Sequence, residues 1–265
     1  MNDYGSFGKL RFECTTTAKQ VLLLRILFII LSLACLGAGL LVMSDPEMVE
    51  AVLETELDIE VAMGVCFVLA VFFFLMSFRL VKHTKAMIYD DGLIYRRGNT
   101  NVIELDFNDL SGIIESSIVM KALLFVKVSE TRTLTFMLKS GKKKELADAQ
   151  LPQAKRFFEE AHTAVADYFL RGVTAENLNK LEISFGDTLE LRDGTFTYQE
   201  SKKKEPVYIP VADVYSIANE EEHSYSLKGK PDGDKADTLA VIRTDMGMNF
   251  ETLFRIVEMV AQKRQ

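Results

Sequence analysis

Two apolar stretches decide the fold of this chain: VLLLRILFIILSLACLGAGLLVM at residues 21–43 and VAMGVCFVLAVFFFLMSFRLV at residues 61–81. Each contains a single charged residue, Arg25 near the start of the first and Arg79 near the end of the second. A helix needs about 20 apolar residues to cross a hydrocarbon core about 30 Å thick, and lipid accommodates only helices or closed barrels. The two stretches therefore predict a transmembrane helical hairpin.

A cleaved signal peptide is the alternative for the first stretch, and two features disfavour it. The apolar run exceeds the usual signal-peptide core of about 7–15 residues. No A-x-A cleavage site precedes the acidic segment that follows. We therefore interpret the first stretch as a retained span.

The charges on either side of the hairpin predict its orientation. The N-terminal segment at residues 1–20 and the residues after the second span are basic, whereas the loop at residues 44–60 has seven acids and no Lys or Arg. Because Lys and Arg in short flanks mark the cytoplasmic side, we predict two cytoplasmic termini and an external loop. The residues that determine this topology are Lys9, Arg11, Lys19, Arg25, Arg79, Lys82 and Lys85.

The two spans have the composition of an anchor. Neither contains an acid, a histidine or a lysine, which are the groups that usually mark ion or proton pathways. Small residues recur at Ala62, Cys66 and Ala70, and such a stripe lets helix backbones approach in lipid. We expect the two helices to pack on each other, with dimerisation between chains as the alternative.

The charge balance and the positions of cysteine and histidine argue against a nucleic-acid-binding, disulfide-rich or metal-binding protein. The formal net charge of −7 equals the seven acids of the loop, so the remainder is close to neutral and lacks a nucleic-acid-binding pattern. No cysteine lies after the second span, so that part has no disulfide framework or Cys-type metal pair. The three histidines are scattered without metal-ligand spacing. We predict no metal, no cofactor and no nucleic-acid partner.

The chain after residue 81 changes to the alternating pattern of strands. MIYDDGLIYRRG turns at Asp90-Asp91-Gly92, and NVIELDF at residues 101–107 alternates polar and apolar residues, as a half-buried strand does. GIIESSIV, LLFVKV and TLTFMLK predict further strands. Pro152 opens a helix with an apolar face, which Gly172 ends. These elements predict a first domain at residues 86–172.

A second domain at residues 181–265 repeats this order after a linker at residues 173–180. LELRDGTFTYQE turns at Asp193-Gly194, and VYIPVADVYSI matches VIELDFNDLSGI. Asn249 is placed to cap a final amphipathic helix. The two copies lie about 103 residues apart, so the sequence predicts an internal repeat.

The hairpins MIYDDGLIYRRG and LELRDGTFTYQE, with the segments FNDLSGI and VADVYSI, resemble bacterial PH-like domains. The opening FGKLRF is similar to an uncharacterised family of two-pass bacterial proteins that carry such domains. The resemblance implies an α+β inner-membrane protein with a transmembrane hairpin and two tandem PH-like domains. Each domain would be a small antiparallel β-barrel or sheet closed by a C-terminal helix. The resemblance also implies binding of lipid headgroups, peptides or sister domains, and it supplies no catalytic residues.

Three basic clusters are candidates for contact with anions or lipid. Each lysine near an anionic leaflet contributes about 1 kcal/mol. The alternatives are solvated polar turns for the lysine runs and protection of an edge strand for the arginine pair. The clusters are Lys142, Lys143 and Lys144; Lys202, Lys203 and Lys204; and Arg96 and Arg97.

The sequence favours a binding protein over an enzyme. It contains no G-x-G-x-x-G, Walker or G-x-S-x-G motif, and tight turns explain the acids Asp90, Asp91 and Asp193. We predict a non-enzymatic scaffold or adaptor that presents tandem PH-like domains to the cytoplasm for protein or lipid binding, with self-association as one mode. A regulatory subunit of a membrane transporter or enzyme complex is the alternative function.

Overall fold

The computed structural model describes residues 7–16, 18–44, 59–79, 83–98, 101–122, 126–201, 204–221, 224–232, 235–243 and 248–264. The chain forms two compact units. One comprises Met1–Cys14, Lys85–Arg96 and Asn101–Gln265, and the other comprises Thr15–Thr84 and Arg97–Thr100. The predicted acidic loop at residues 44–60 lies almost entirely outside the described residues.

The second of these units contains helices α1 (Ala18–Ser44) and α2 (Ile59–Arg79), close to the predicted spans. By length and composition both are able to cross a membrane. Their outward faces are exposed, as Leu23 at 64% and Val68 at 65% illustrate. An exposed apolar surface of this extent requires an apolar environment or a partner.

Small residues bring α1 and α2 together. The hydroxyl of Ser32 donates a hydrogen bond to the C=O of Ala70 at 2.9 Å, and Ala70 is buried. A Cβ placed on Gly39 would lie 3.2 Å from the Cβ of Cys66. Two residues of the predicted stripe, Cys66 and Ala70, therefore lie at the contact between the helices of one chain.

The two ends of the helical hairpin are joined by hydrogen bonds that involve the backbone. The N–H of Thr16 donates to the C=O of Thr84 at 2.9 Å, and the N–H of Thr84 donates to the hydroxyl oxygen of Thr16 at 2.7 Å. The N–H of Gly98 donates to the C=O of His83 at 2.8 Å. The chain thus enters and leaves the hairpin at one place.

The first half of the other unit has a four-stranded sheet, a three-stranded sheet and a helix. In the first sheet each strand pairs with its neighbour in chain order, and the same holds in the second sheet. The elements are β1 (Leu10–Thr15), β2 (Thr84–Tyr89), β3 (Gly92–Arg97) and β4 (Asn101–Asp106), then β5 (Leu110–Ala122), β6 (Val126–Leu138) and β7 (Lys143–Ala147), then α3 (Ala154–Phe169).

The second half has the same order of elements. Its predicted turn is present, with Asp193 and Gly194 both at positive φ, the conformation that a two-residue hairpin requires. The elements are β8 (Ile183–Ser184), β9 (Leu189–Arg192), β10 (Thr195–Tyr198) and β11 (Val207–Pro210), then β12 (Ser216–Glu221), β13 (Ser224–Asp232) and β14 (Lys235–Arg243), then α4 (Phe250–Lys263).

Each half buries its own hydrophobic core beneath its helix. Phe107, Phe136 and Phe157 are fully buried in the first core, and Phe185 and Phe196 are fully buried in the second. The apolar residues of each helix recur on one face, so each helix covers its two sheets. Phe169 at the end of α3 packs against both cores.

The structure changes four sequence-based expectations. The four-stranded and three-stranded sheets are separate, so no barrel closes in the described residues. The first sheet includes β1, which precedes the hairpin, although the predicted domain began at residue 86. The predicted linker at residues 173–180 contributes buried Leu178 to the second core. Finally, α3 begins at Ala154 and not at Pro152.

Candidate functional site

A chain of alternating charges connects both halves of the sheet-containing unit. We call Asp90, Arg11, Asp167, Arg255 and Glu251 the junction network. Arg11 on β1 donates through Nε to Asp90 at 2.7 Å and through Nη1 to Asp167 at 2.5 Å. Arg255 on α4 donates to the other carboxylate oxygen of Asp167 and, through Nε, to Glu251 at 2.8 Å. The strand that leads into α1 is thereby tied to α3 and, through Asp167, to α4.

Asp167 is the central anion of the junction network. Burial alone would raise the pKa of its carboxyl group, but the hydrogen bonds from Arg11 and Arg255 outweigh burial and hold the pKa below its usual value. The hydrogen bond from Arg11 likewise lowers the pKa of Asp90. Asp90 and Asp167 therefore stay ionised at neutral pH, and the network has the character of a structural clamp.

Asn249 forms a second connection between the halves. Its backbone N–H donates to the C=O of Ile113 at 2.9 Å, and its Oδ1 accepts from the N–H of Ile113 at 3.0 Å. Its Nδ2 donates to the C=O groups of Ser111 and Ser184 at 3.2 and 3.0 Å. Asn249 is 1% exposed, so its side chain bridges β5 of the first half to β8 of the second inside the protein.

This geometry corrects the prediction that the Asn249 side chain caps the last helix. Asn249 is the residue before α4, but its side chain makes no capping hydrogen bond. Its backbone is left-handed, with φ at 61°, which asparagine tolerates better than most residues. The side chain is directed to β5 and β8 and not to the first turn of α4.

Gly112 makes room for this connection. A Cβ at that position would lie under 3.0 Å from Met248 and from the Nδ2 of Asn249. The glycine of the FNDLSGI segment is therefore needed because the start of α4 approaches β5 closely.

The first lysine run lies at a turn and on an edge strand. Lys142 precedes β7, and Lys143 and Lys144 are in β7, an outer strand of its sheet. All three are exposed. The turn adjoins the corner between β4 and β5, because the N–H of Lys139 donates to the C=O of Asp109 at 2.8 Å. Lysines here protect an open sheet edge, and lipid contact at the run stays a prediction.

The second lysine run is described only at Lys204, because Lys202 and Lys203 lie outside the described residues. The Lys204 ammonium pairs with Glu200, four residues earlier. The amide of Gln199 donates to the C=O of Lys204 at 2.8 Å. Lys204 therefore has a local partner within its own turn.

Arg96 and Arg97 are not on an edge strand, so the edge-protection interpretation was wrong for them. They end β3, which pairs with β2 on one side and β4 on the other. Arg96 lies 3.9 Å from Glu104, while Arg97 makes no ion pair with any described residue. The pair is half-buried, and its contact with anions stays a prediction.

Several of the predicted topology determinants also serve the fold. Arg11 belongs to the junction network, and Lys85 pairs with Glu13 at 2.9 Å across β1 and β2. The N–H of Lys9 donates to Asp90 at 3.3 Å. Lys19, Arg25 and Arg79 are in the two helices, and Lys82 lies outside the described residues.

A groove of about 480 Å³ opens in the second half of the sheet-containing unit. Leu178, Val211 and Val260 form part of its apolar lining. Its cations have partners, since Lys263 lies 3.7 Å from Glu176 and the Arg264 guanidinium lies 3.8 Å from the Tyr215 ring centre. The groove offers apolar contact and gathers no acid–base or nucleophilic constellation.

Metal-binding groups do not converge in the part of the chain that the structure describes. His162 on α3 faces Glu115 at 3.5 Å, and Arg132 lies 3.6 Å from the same carboxylate. His223 lies outside the described residues.

Comparison with known proteins assigns neither a family nor a function to this chain. No family model matches the chain, and no curated protein matches it. Among solved structures, the Spt16D Pob3N heterodimer matches over 62% of this chain and 88% of that chain, with 15% identity and a TM-score of 0.21. A score that low carries no argument about this chain.

Proposed function

We propose that this protein is a membrane-anchored, non-enzymatic scaffold or adaptor. Its helical hairpin would span the inner membrane of a bacterial cell with both termini in the cytoplasm. Its two halves of sheets and helix would be PH-like modules that bind a protein partner or lipid. The observation that carries the proposal is that α1 and α2 connect two neighbouring strands of one sheet, β1 and β2.

The position of the hairpin supports anchoring. An insertion whose ends meet at Thr16 and Thr84 adds a membrane segment without disturbing the order of the strands around it. It also places both flanks of the hairpin on one side of any membrane that the helices cross. That arrangement agrees with the basic flanks and the acidic connecting loop.

The connection between the halves supports a scaffold with fixed geometry. Asn249 and Asp167 join elements from both halves, and the segment between them contains buried Leu178. Two binding surfaces on one compact unit avoid the ordering cost that a flexible tether would add on binding. The PH-like character of each half rests on its four strands, three strands and C-terminal helix.

Membrane extraction followed by affinity capture tests this function. We expect alkaline carbonate to leave the protein in the membrane fraction, and capture after gentle solubilisation to recover binding partners of the sheet-containing unit. Release by carbonate would contradict the anchor. A stoichiometric transporter or enzyme in the capture would replace the free scaffold with a regulatory subunit.

A further inference from the structure

The two halves build the same corner at the place where each closing helix ends. In the first half, the N–H of Phe107, at the start of a 3-10 turn, donates to the C=O of Asp91 at 2.9 Å. In the second half, the N–H of Val211, also at the start of a 3-10 turn, donates to the C=O of Gly194 at 3.0 Å. We call these places, with the ends of α3 and α4 that reach them, the first corner and the second corner.

Side chains from the end of α3 fill the first corner. The Tyr168 ring meets the Phe107 ring edge to face, with 5.9 Å between the ring centres. The Arg171 guanidinium lies 5.1 Å from the centre of the Tyr168 ring and pairs with the carboxylate of Asp91 in the turn. A tyrosine and an arginine three residues later therefore act together, because the ring covers the floor of the corner and the arginine ties the ring to the turn.

The second corner is open. Val211 has the position that Phe107 has in the first corner, and it lines the groove of about 480 Å³ together with Leu178 and Val260. Apolar side chains that face open space lose the packing contacts that a neighbour would give them. The smaller residue of the second half thus leaves room for a side chain from outside.

The turn of the second corner has a carboxylate without the arginine that the first corner supplies. Asp193 directly precedes Gly194, which lines the groove. Its side chain is 82% exposed, and its ion-pair partner among the described residues is Arg192 at 4.0 Å. Arg192 lies nearer to Glu182, at 3.2 Å. An incoming arginine would therefore find at Asp193 the partner that Arg171 has in the first corner.

We propose that the groove of the second corner docks a segment of a protein partner that presents a tyrosine and, three residues later, an arginine. The ring packs on Val211 and Val260, and the arginine pairs with Asp193. The first corner is the template, because these two side-chain types complete the same corner there. Tyrosine and arginine are also frequent energetic anchors of protein interfaces. The inference rests on the proposed scaffold function and names one docking surface and the chemistry of its partner.

Fluorescence anisotropy with a labelled peptide tests this docking site in the full chain, held in detergent. The probe copies residues 160–172, EAHTAVADYFLRG, which include the tyrosine and the arginine of the first corner. Ala212→Trp blocks the groove, because Ala212 is an exposed residue of its lining. Ala149→Trp is the matched control, since Ala149 is an exposed alanine of a 3-10 turn in the first half. Asp193→Asn removes the proposed partner of the arginine, and asparagine tolerates the positive φ of this position.

We expect the native chain and Ala149→Trp to bind the peptide equally, and Ala212→Trp to bind it about tenfold more weakly or not at all. Alanine in place of the peptide's tyrosine should weaken binding by about tenfold or more, as at an interface anchor. Asp193→Asn should weaken binding about threefold, as expected for an exposed ion pair, and only for the peptide that keeps its arginine. Circular dichroism checks the fold of Ala212→Trp, and the Asp193→Asn comparison decides the question if that variant does not fold.

Equal binding by Ala212→Trp and the native chain, or no binding at all, overturns the inference. So does a dimer of the native chain that Ala212→Trp abolishes, because a second copy then fills the groove. A lipid that native mass spectrometry finds on the native chain and not on Ala212→Trp overturns it as well. Partners that membrane capture recovers equally with both chains keep the scaffold function and overturn only this docking site, so the two failures are distinct.

Discussion

At the residue scale, Asn249 is the side chain on which the connection between the halves most depends. Its amide has hydrogen bonds to three backbone groups, of which one bond is buried and two are partly buried. Asn249→Ala removes all three, and each hydrogen bond lost costs about 1 kcal/mol. We therefore expect a loss of about 3 kcal/mol in the free energy of unfolding, measured by thermal unfolding in detergent with circular dichroism.

Asn177→Ala is the control for this change. The Asn177 side chain also makes two backbone hydrogen bonds, but it is at the surface. Water replaces those bonds, so the control should cost less than about 1 kcal/mol. Equal losses for the two variants would contradict the role assigned to Asn249.

Asp167 makes the free energy of unfolding depend on pH in the acid range. Hydrogen bonds from Arg11 and Arg255 keep its pKa below the usual value despite burial. A carboxylate with a lowered pKa in the folded state adds stability above its unfolded pKa of about 3.9, and loses that contribution as pH falls through the folded pKa. Asp167→Asn should therefore cost about 1 kcal/mol at neutral pH, after allowance for partial solvent exposure.

The pH profile distinguishes this clamp from a general effect of mutation. The difference in unfolding free energy between the native protein and Asp167→Asn should shrink as pH falls below about 4. Asp187→Asn is the control, because Asp187 is exposed and has no ion pair among the described residues. It should leave the free energy of unfolding at neutral pH unchanged. If the difference in unfolding free energy between the native protein and Asp167→Asn stayed constant across this pH range, the role of Asp167 as an ionised clamp would be refuted.

Local sequence rules predicted the turn at Asp193-Gly194 because its conformation depends on those two residues. They assigned Asn249 a helix cap because asparagine before an amphipathic helix commonly has that role. Its partners are 136 and 65 residues away in the chain. Asp167 has partners 156 and 88 residues away. Such contacts exist only after the halves pack, so one sequence does not reveal them.

At the element scale, the contact between α1 and α2 is open to a direct chemical test. Gly39 faces Cys66, with a Cβ separation of 3.2 Å for an added side chain, which is near the disulfide range of about 3.5–4.5 Å. In a chain with Cys35 replaced by alanine, Gly39→Cys should form a disulfide with Cys66 upon mild oxidation. Non-reducing electrophoresis and mass spectrometry should find the crosslink within one chain.

Gly37→Cys is the matched control because a Cβ at Gly37 has no neighbour within 4 Å. It should stay reduced under the same conditions. Disulfide-linked dimers from Gly39→Cys would instead favour the alternative in which the small residues pair helices of different chains.

Strand β1 is the element that sequence analysis missed, although its signal was present. LRFECT alternates apolar Leu10, Phe12 and Cys14 with polar residues, the period of a half-buried strand. Phe12 and Cys14 are buried in the first core. In sequence the segment looks like an N-terminal extension outside the domain. The strand with which it pairs, β2, comes only after both helices of the hairpin. The apolar helices themselves were predictable because their signal is continuous in sequence.

At the scale of the whole molecule, the hairpin is an insertion that the sheet should tolerate losing. β8 and β9, the corresponding strands of the second half, are joined by only four residues, 185–188. A chain in which residues 17–82 are replaced by a short turn should fold and remain in solution. Circular dichroism and hydrogen exchange should report protected strands from both halves.

The fragment at residues 86–265 provides the comparison. Because it lacks β1, its first core is without Phe12 and Cys14. Asp167 also loses its ion pair with Arg11. Removal of one large buried side chain costs about 3–5 kcal/mol, so this fragment should be unfolded or aggregated. Equal stability of the two chains would mean that β1 is dispensable and that the hairpin is attached from outside the sheet.

The central claim is that the hairpin crosses a membrane and holds both of its flanks, and the whole sheet-containing unit, on the cytoplasmic side. Cysteines introduced one at a time at Glu54, Lys142 and Tyr208 test it with a membrane-impermeant maleimide on intact and permeabilised cells. The background chain lacks Cys35 and Cys66 and keeps only the buried Cys14. We predict that position 54 is labelled in intact cells and that positions 142 and 208 are labelled only after permeabilisation. Labelling of position 142 or 208 in intact cells, or protection of position 54, would contradict the account.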